Sequence, residues 1–399
     1  MNIHSYYLTS APRKRFISYV WIASALILLL SGCAPKQSYD AALILADIAA
    51  QETPSHWKSA TPAPNQKEIT YRIRNRIHRG TLYLPASAPP QAGIVLIPGI
   101  VPRGKDDSRL IAFAKTLARA RFAVFTPELK EFRHLQVRPE HPRVIADALL
   151  YLASRPELIP PGHLGIGTFS FSVGLGVIAA LEEDARTKVQ FILGVGGYYN
   201  LETTIRFFTT GYLSDNTYYP NPSEYGKLVF AATSLNYLTN STDQMVLEEM
   251  IQIKIRNPDA EIASLAPHLG PAGKAVYTLL SNTDPEKVPG LIRTLPAELH
   301  QFIKNFSLSN KDLTQLQAQL FLIHGKNDPL IPYTESLALA DALPPKQTKV
   351  YLIEQVLTHV DFNFQSLFTR AFWTEELPDL WRMYRVIYAL LGKRAQTDP

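Results

Sequence analysis

The chain has 399 residues, of which 46% are hydrophobic and 19% are charged, a composition typical of folded proteins that excludes disorder throughout. The 40 basic and 35 acidic residues leave a net charge of +5, and this small excess predicts no nucleic-acid partner. The length allows one large domain with an insertion.

The N-terminus has the pattern of a secretory signal. A basic cluster, Arg13 to Arg15, precedes an apolar stretch over residues 16–30 that is short for a membrane span. The next residues, LSGC, resemble the lipobox of bacterial lipoproteins, whose cysteine is lipidated and becomes the mature N-terminus. Cys33 is also the only cysteine, so it cannot form an internal disulfide.

We therefore predict a signal peptide over residues 1–32, a lipid anchor at Cys33 and a location in the cell envelope. Ala34 follows the cysteine, and the resemblance then implies the outer membrane if the source has two membranes. An uncleaved anchor helix is the alternative. Residues 33–65 are rich in Ala, Pro, Ser and Thr, which predicts a tether without a fold of its own.

After the tether, strand-like segments alternate with helix-like ones. The later apolar runs are typical of parallel strands that are buried on both faces. They include GIVLIPG (93–99), FAVFTPEL (122–129), HLGIGT (163–168), VQFILGV (189–195), QLFLIHG (319–325) and KVYLIEQ (349–355). Between them, residues 108–120 predict an amphipathic helix that Asp106 or Asp107 caps. The pattern predicts an α/β fold, a doubly wound and mostly parallel sheet.

The alternation stops between Leu201 and Leu313, where the sequence reads as helices and loops dense in aromatic residues. We predict a helical cap insertion over residues 201–314 within a core of residues 66–200 and 315–395. The aromatic residues fit the core of the cap, with some of them lining a pocket as the alternative. Because the insertion lies where a cap covers the pocket mouth, we expect it to control substrate choice.

Three segments carry candidate chemistry, in the order serine, acid, histidine. They are GTFSFSVGLG (167–176), HGKNDPLIP (324–332) with Asp328, and KVYLIEQVLTHVDF (349–362) with His359. In this order they resemble the α/β-hydrolase family, whose serine lies on a turn after one strand, its acid after a later strand and its histidine after the last. The HGKNDPLIP segment is the most specific match.

The serine segment departs from the usual G-x-S-x-G, and it offers two nucleophiles. Close approach of strand and helix favours small residues two positions to either side of the serine. By size Ser172 is slightly favoured, with Ser170 and Gly174 at its flanks; Ser170 has Thr168 and Ser172. Alignment with family forms such as GxSFSGG favours Ser170, with Gly165 five residues before it. We assign Ser170 and keep Ser172 as the alternative.

The resemblance implies a role for each residue. His359 accepts the serine proton, Asp328 orients His359, and the backbone N–H groups of Ile100 and Phe171 stabilise the oxyanion. Glu354, at the end of its strand, is a weaker alternative to Asp328 as the acid. No cofactor is implied, and no cluster of residues has the spacing of metal ligands.

These observations predict a lipid-anchored serine hydrolase that acts on a small carboxylic ester with an apolar group. The same three residues serve a peptidase, an amidase or an acyltransferase, because the pocket and not the triad selects the substrate. The irregular serine turn leaves a further alternative, a catalytically silent hydrolase fold that serves as a binding or scaffold lipoprotein of the envelope.

Overall fold

The computed structural model describes residues 35–360 and 372–395. Within them, eight strands form one sheet in the order β1-β2-β4-β3-β5-β6-β7-β8. Strand β2 pairs antiparallel with β1 and β4, and all the other pairs are parallel. The strands are β1 (Asn65–Ile73), β2 (Arg76–Leu84), β3 (Ala92–Ile97), β4 (Phe122–Pro127), β5 (Leu164–Phe169), β6 (Phe191–Val195), β7 (Gln319–Gly325) and β8 (Thr348–Ile353).

The sheet confirms the predicted fold class. Every residue of β3, β4 and β6 is buried, which explains why their sequences are apolar runs and not alternating patterns. The described helices are α1 (Pro35–Ala50), α2 (His56–Ala60), α3 (Ser108–Arg119), α4 (His141–Ala153), α5 (Ser172–Leu181), α6 (Leu201–Thr210), α7 (Tyr225–Ser234), α8 (Ser241–Arg256), α9 (Pro271–Leu280), α10 (Val288–Arg293), α11 (Ala297–Phe306), α12 (Tyr333–Asp341) and α13 (Leu377–Leu391).

Helices cover both faces of the sheet and form two separate hydrophobic clusters. The first cluster contains side chains of α4, α5 and α12, together with those of the insertion. The second contains side chains of α1, α3 and α13, and we call these three helices the helix layer. Helix α3 begins as predicted, because the Asp107 carboxylate accepts a hydrogen bond from the N–H of Arg109 and so caps the first turn.

The N-terminal segment differs from its prediction. Residues 35–60, predicted as part of a tether, form α1 and α2, and α1 contacts α3 and α13. Leu43, Ile44 and Leu45 of α1 are buried, and each such side chain contributes about 1.5–3 kcal/mol when it leaves water. The average composition concealed this helix, because its alanines, leucines and isoleucines are flanked by residues typical of a linker.

The insertion between β6 and β7 contains helices α6 to α11 and several short 3₁₀ segments. We call residues 201–314 the cap. Aromatic side chains are part of its interior; Phe208 contacts Phe230, and Phe302 contacts Phe306. Within residues 35–360 and 372–395, no helix has the length and apolar character needed to cross a bilayer.

Candidate active site

Ser170 lies on a sharp turn between β5 and α5. Its φ angle of 58° is in the left-handed region, which non-glycine residues seldom adopt. The Ser170 N–H donates to the carbonyl of Val195 on β6 at 2.7 Å, which fixes the turn at the carboxyl end of the sheet. The side chain is half-buried, as expected of a serine exposed by a strained turn.

Thr168 occupies the position where a small residue was expected. It is fully buried, and its hydroxyl donates to the carbonyl of Leu193 at 3.2 Å. A Cβ atom at Gly176 would lie 2.7 Å from the Thr168 Cγ2 methyl carbon, so a side chain there would clash. The space that the turn requires is therefore supplied by Gly176 on α5, which lets a β-branched residue remain at position 168.

Ser172, the alternative nucleophile, is the first residue of α5 and is fully buried. Its hydroxyl donates to the carbonyl of Pro98 at 2.6 Å. Because this bond uses the hydroxyl proton to hold the loop after β3, the geometry favours Ser170 over Ser172 as the reactive group.

The acid and the histidine lie together at the carboxyl ends of β7 and β8. The Nδ1 of His359 lies 2.6 Å from the Oδ2 of Asp328. The other carboxylate oxygen, Oδ1, accepts hydrogen bonds from the N–H groups of Leu330 and Ile331 at 2.8 and 3.0 Å. With Nδ1 donating to Asp328, the Nε2 of His359 is the nitrogen available to accept a proton.

Asp328 is almost completely buried, and burial by itself would raise the pKa of its carboxyl. The neighbouring His359 and His324 outweigh that effect and hold the pKa of Asp328 below its ordinary value. Asp328 is therefore ionised at neutral pH and can stabilise a protonated His359.

Asp328 and the alternative acid, Glu354, have different partners. Glu354 forms an ion pair with Lys326 at 2.8 Å, and Asp328 contacts His359. His324 is enclosed beside the acid loop, where Nε2 donates to the carbonyl of Ile331 at 2.9 Å and Nδ1 lies 2.7 Å from the hydroxyl of Ser336. His324 thus connects the loop that carries Asp328 to helix α12.

The predicted oxyanion donors lie on the two segments nearest Ser170. Phe171 precedes the ten-residue helix α5, whose N-terminus favours negative charge. On the loop after β3, a Cβ atom added to Gly99 would lie 3.6 Å from the Cβ of Ser170, so Ile100 follows a residue in near contact with the serine. Within the described residues, neither N–H of Phe171 or Ile100 donates a hydrogen bond to another group.

Ser170 and His359 line one cavity of about 150 Å³, together with Gly99 and Ile100. Apolar side chains form most of its wall, among them Leu110, Phe113, Phe169, Leu193, Val195, Ile323, Leu330 and Met383. Among the residues that the structure describes, no group of three or more His, Cys, Asp or Glu side chains is arranged to hold a metal ion. Cys33 lies outside these residues.

Comparison with known proteins finds only distant similarity. No protein-family model matches the chain, and no curated protein matches its sequence. A Pyrococcus horikoshii acylaminoacyl peptidase is 10% identical over 85% of this chain and 43% of its own, with a TM-score of 0.44. An esterase from Pyrobaculum calidifontis is 12% identical over 98% of this chain and 94% of its own, with a TM-score of 0.44. An esterase from Rhizomucor miehei is 14% identical over 97% of this chain and 98% of its own, with a TM-score of 0.46.

The chain has an α/β-hydrolase fold. This statement rests on the mostly parallel sheet with helices on both faces and on the serine at its strand-to-helix turn. The chain spans less than half the length of the peptidase, and similarity at these values is too low to transfer an activity from any of the three proteins.

Sequence reasoning missed two residues that shape the site. Gly196, at the end of β6, has φ 64°, and a Cβ atom there would lie 3.2 Å from the ring of His359 and 3.3 Å from Oδ2 of Asp328. Tyr225, the first residue of α7, donates its hydroxyl to the carbonyl of Ile100 at 2.8 Å. A glycine after an apolar strand was visible in the sequence, but nothing local marked Tyr225.

Proposed function

We propose that the protein is a serine hydrolase that cleaves small carboxylic esters through an acyl-enzyme on Ser170. One observation carries the proposal: a serine in a left-handed turn shares a cavity with a histidine whose Nδ1 lies 2.6 Å from a buried carboxylate. These are the parts that an otherwise unreactive hydroxyl needs for nucleophilic attack.

In the proposed reaction the Oγ of Ser170 attacks the ester carbonyl carbon while Nε2 of His359 takes the hydroxyl proton. The N–H groups of Phe171 and Ile100 bind the oxyanion that forms. Collapse of this intermediate breaks the bond to the alcohol oxygen, which receives the proton from His359 and leaves. A water molecule, deprotonated by His359, then attacks the acyl carbon. The bond to the Oγ of Ser170 breaks, Oγ takes the proton back from His359, and the carboxylic acid is released.

The wall of the cavity supports an ester with an apolar acyl group. Its lining beside Ser170 is mainly aliphatic and aromatic, and such a wall favours hydrocarbon over a charged or strongly polar side chain. A peptide substrate would also require polar groups for its backbone, and this favours an ester over the peptidase alternative.

A fluorophosphonate probe tests the proposal without knowledge of the natural substrate, because it reacts only with an activated serine. We expect one adduct, located on Ser170 by mass spectrometry of the digested protein. The variant Ser170→Ala should lose the adduct and reduce ester turnover by about 10³-fold or more. The matched control, Ser172→Ala, should keep its adduct on Ser170. An adduct on Ser172 would overturn the assignment, and no adduct on folded wild-type protein would favour the silent scaffold.

We further propose that Cys33 carries a lipid. The LSGC motif supports this, and because α1 begins at Pro35, a lipid on Cys33 would hold the domain at the bilayer surface and not at a distance from it. Wild-type protein should partition into the detergent phase, and Cys33→Ala should not. Equal partitioning and an unmodified Cys33 by mass spectrometry would refute the anchor.

A further inference from the structure

The cavity at Ser170 extends away from the cap. Its lining includes residues of all three helices of the helix layer, with Leu45 and Ile48 on α1 and Met383 and Ile387 on α13. Of the cap, which the structure describes throughout, Tyr225 alone is part of this lining. Among the described residues, the wall therefore comes mainly from the sheet, the loop after β3 and the helix layer, contrary to the expectation that the insertion selects the substrate.

Three charged residues of this wall, Asp47, Asp107 and Arg109, are paired within the protein. Asp47 of α1 is fully buried and accepts hydrogen bonds from Thr116 and Lys58 at 2.5 Å each, and from Ser55. Arg109 bonds the carboxylate of Asp107 at 3.1 Å. Because these groups are satisfied within the protein, a ligand in the cavity would gain little from polar contacts and would bind through apolar area.

We infer that the acyl chain of the substrate occupies this cavity and that Leu45 and Ile48 of α1 set its greatest length. The inference rests on the proposed function. Leu45 is buried and Ile48 is half-buried, and both line the cavity. A cavity of about 150 Å³ is the size of one that holds benzene, so we expect an acyl group of about six carbons.

The cap provides an internal control for this inference. A second cavity, of about 230 Å³, lies between α7, α8 and α9 and is lined by Ile262 and Tyr277 among others. Ile262 and Ile48 are both half-buried isoleucines on a cavity wall. The same substitution at these two positions therefore shows which of the two cavities determines the preference for acyl-chain length.

The experiment compares Ile48→Trp, Ile48→Ala and the control Ile262→Trp in the full-length protein. Hydrolysis of p-nitrophenyl esters from acetate to dodecanoate is measured, together with labelling of Ser170 by alkyl fluorophosphonates of the same chain lengths. For Ile48→Trp we expect kcat/KM for hexanoate to fall by about tenfold with acetate little changed, because steric differences of this kind discriminate substrates by such factors. Ile48→Ala should move the optimum to longer chains, and Ile262→Trp should keep the wild-type profile.

The outcomes separate the two proposals. If wild-type Ser170 is labelled but its chain-length profile is the same in both Ile48 variants, the acyl site is elsewhere and only this inference fails. If the profile changes equally in Ile262→Trp, the cap selects the substrate. If Ser170 is not labelled at all, the proposed function itself fails. Thermal unfolding checks that each variant is folded, and should Ile48→Trp not fold, the shift in Ile48→Ala decides the question.

Discussion

The cap and the helix layer both cover the sheet, but they contribute differently to the candidate site. The cap contains many aromatic residues and a cavity of its own, yet its contact with the cavity at Ser170 is through Tyr225. The helix layer combines α1 and α13, from the two ends of the chain, with α3, and its aliphatic side chains form much of the wall around Ser170 and His359. The density of aromatic residues along a sequence therefore did not indicate where the pocket lies.

The difference follows from where each region is attached. The cap is inserted after β6 and packs in the same hydrophobic cluster as α4 and α5, whereas α1 packs against the helices on the other face of the sheet. A cavity that begins at Ser170 and continues along that other face can be reached by α1 but only at its edge by the cap. We therefore expect the largest effect from a substitution in the triad, a smaller one where Tyr225 of the cap contacts the loop after β3, and the smallest where Glu335 of the core contacts the cap.

The largest effect is expected in the core, for Asp328→Asn. The asparagine cannot stabilise a protonated His359 and favours the wrong tautomer of the imidazole, so kcat should fall by about 10⁴-fold. The fall in kcat is measured by ester hydrolysis with a saturating concentration of a short-chain substrate. Glu354→Gln is the control, because Glu354 pairs with Lys326 and not with His359, and it should stay close to wild type. Similar losses in the two variants would break the assignment of the acid.

A smaller effect is expected at the junction between cap and core, for Tyr225→Phe. The variant loses the hydrogen bond from the tyrosine hydroxyl to the Ile100 carbonyl, so the loop that carries one oxyanion donor is held less firmly. A bond of about 0.5–1.5 kcal/mol corresponds to a loss of roughly 2- to 13-fold. We expect this loss in kcat with KM nearly unchanged, since the oxyanion forms only after binding.

The control for this variant is Tyr277→Phe, which changes a tyrosine on the wall of the cap cavity. It should leave kcat unchanged. A loss in Tyr225→Phe as large as that in Asp328→Asn would mean that the cap takes part in the chemistry, and the comparison above would no longer hold.

The smallest effect is expected on stability, at a second contact between cap and core, where Thr203 of the cap bonds Glu335 of the core. Glu335 of α12 is buried and accepts hydrogen bonds from the N–H groups of Tyr199 and Asn200 and from the hydroxyl of Thr203. Burial raises the pKa of Glu335 above its ordinary value, although these hydrogen bonds oppose the rise. The contribution of this group to stability is thus present below the ordinary pKa of 4.5 and is lost as pH rises through the higher pKa of the folded protein.

In Glu335→Gln this titration is absent. The free energy of unfolding of the variant, relative to wild type, should therefore increase as pH rises from 4.5, by at most about 1.4 kcal/mol per pH unit. Denaturant unfolding across this pH range measures the difference. Glu202→Gln, an exposed position in the first turn of α6, should show no such trend. A difference that does not change with pH would contradict the raised pKa.

The sequence by itself determined the strands and the order of the candidate triad. Apolar runs such as GIVLIPG and QLFLIHG became β3 and β7 with ends within two residues of those predicted, because burial on both faces leaves little room for polar residues. Asp328 lies on the loop after β7 and His359 on the loop after β8, and parallel strands bring their carboxyl ends to one edge of the sheet. The prediction that these two side chains meet came from the resemblance of their segments to the α/β-hydrolase family, and the parallel sheet supplies its physical reason.

Tertiary structure alone decided the remaining features. The sequence already favoured Ser170 over Ser172 by resemblance, but the physical reasons are tertiary: a φ angle at Ser170, and a hydrogen bond from Ser172 to Pro98, 74 residues away in the chain. The helix at residues 35–50 packs against α3 and against α13, which lies near the opposite end of the chain, and the Tyr225 bond to Ile100 joins positions 125 residues apart. Contacts over such separations depend on how elements pack, and a single sequence records only the propensities of the elements themselves.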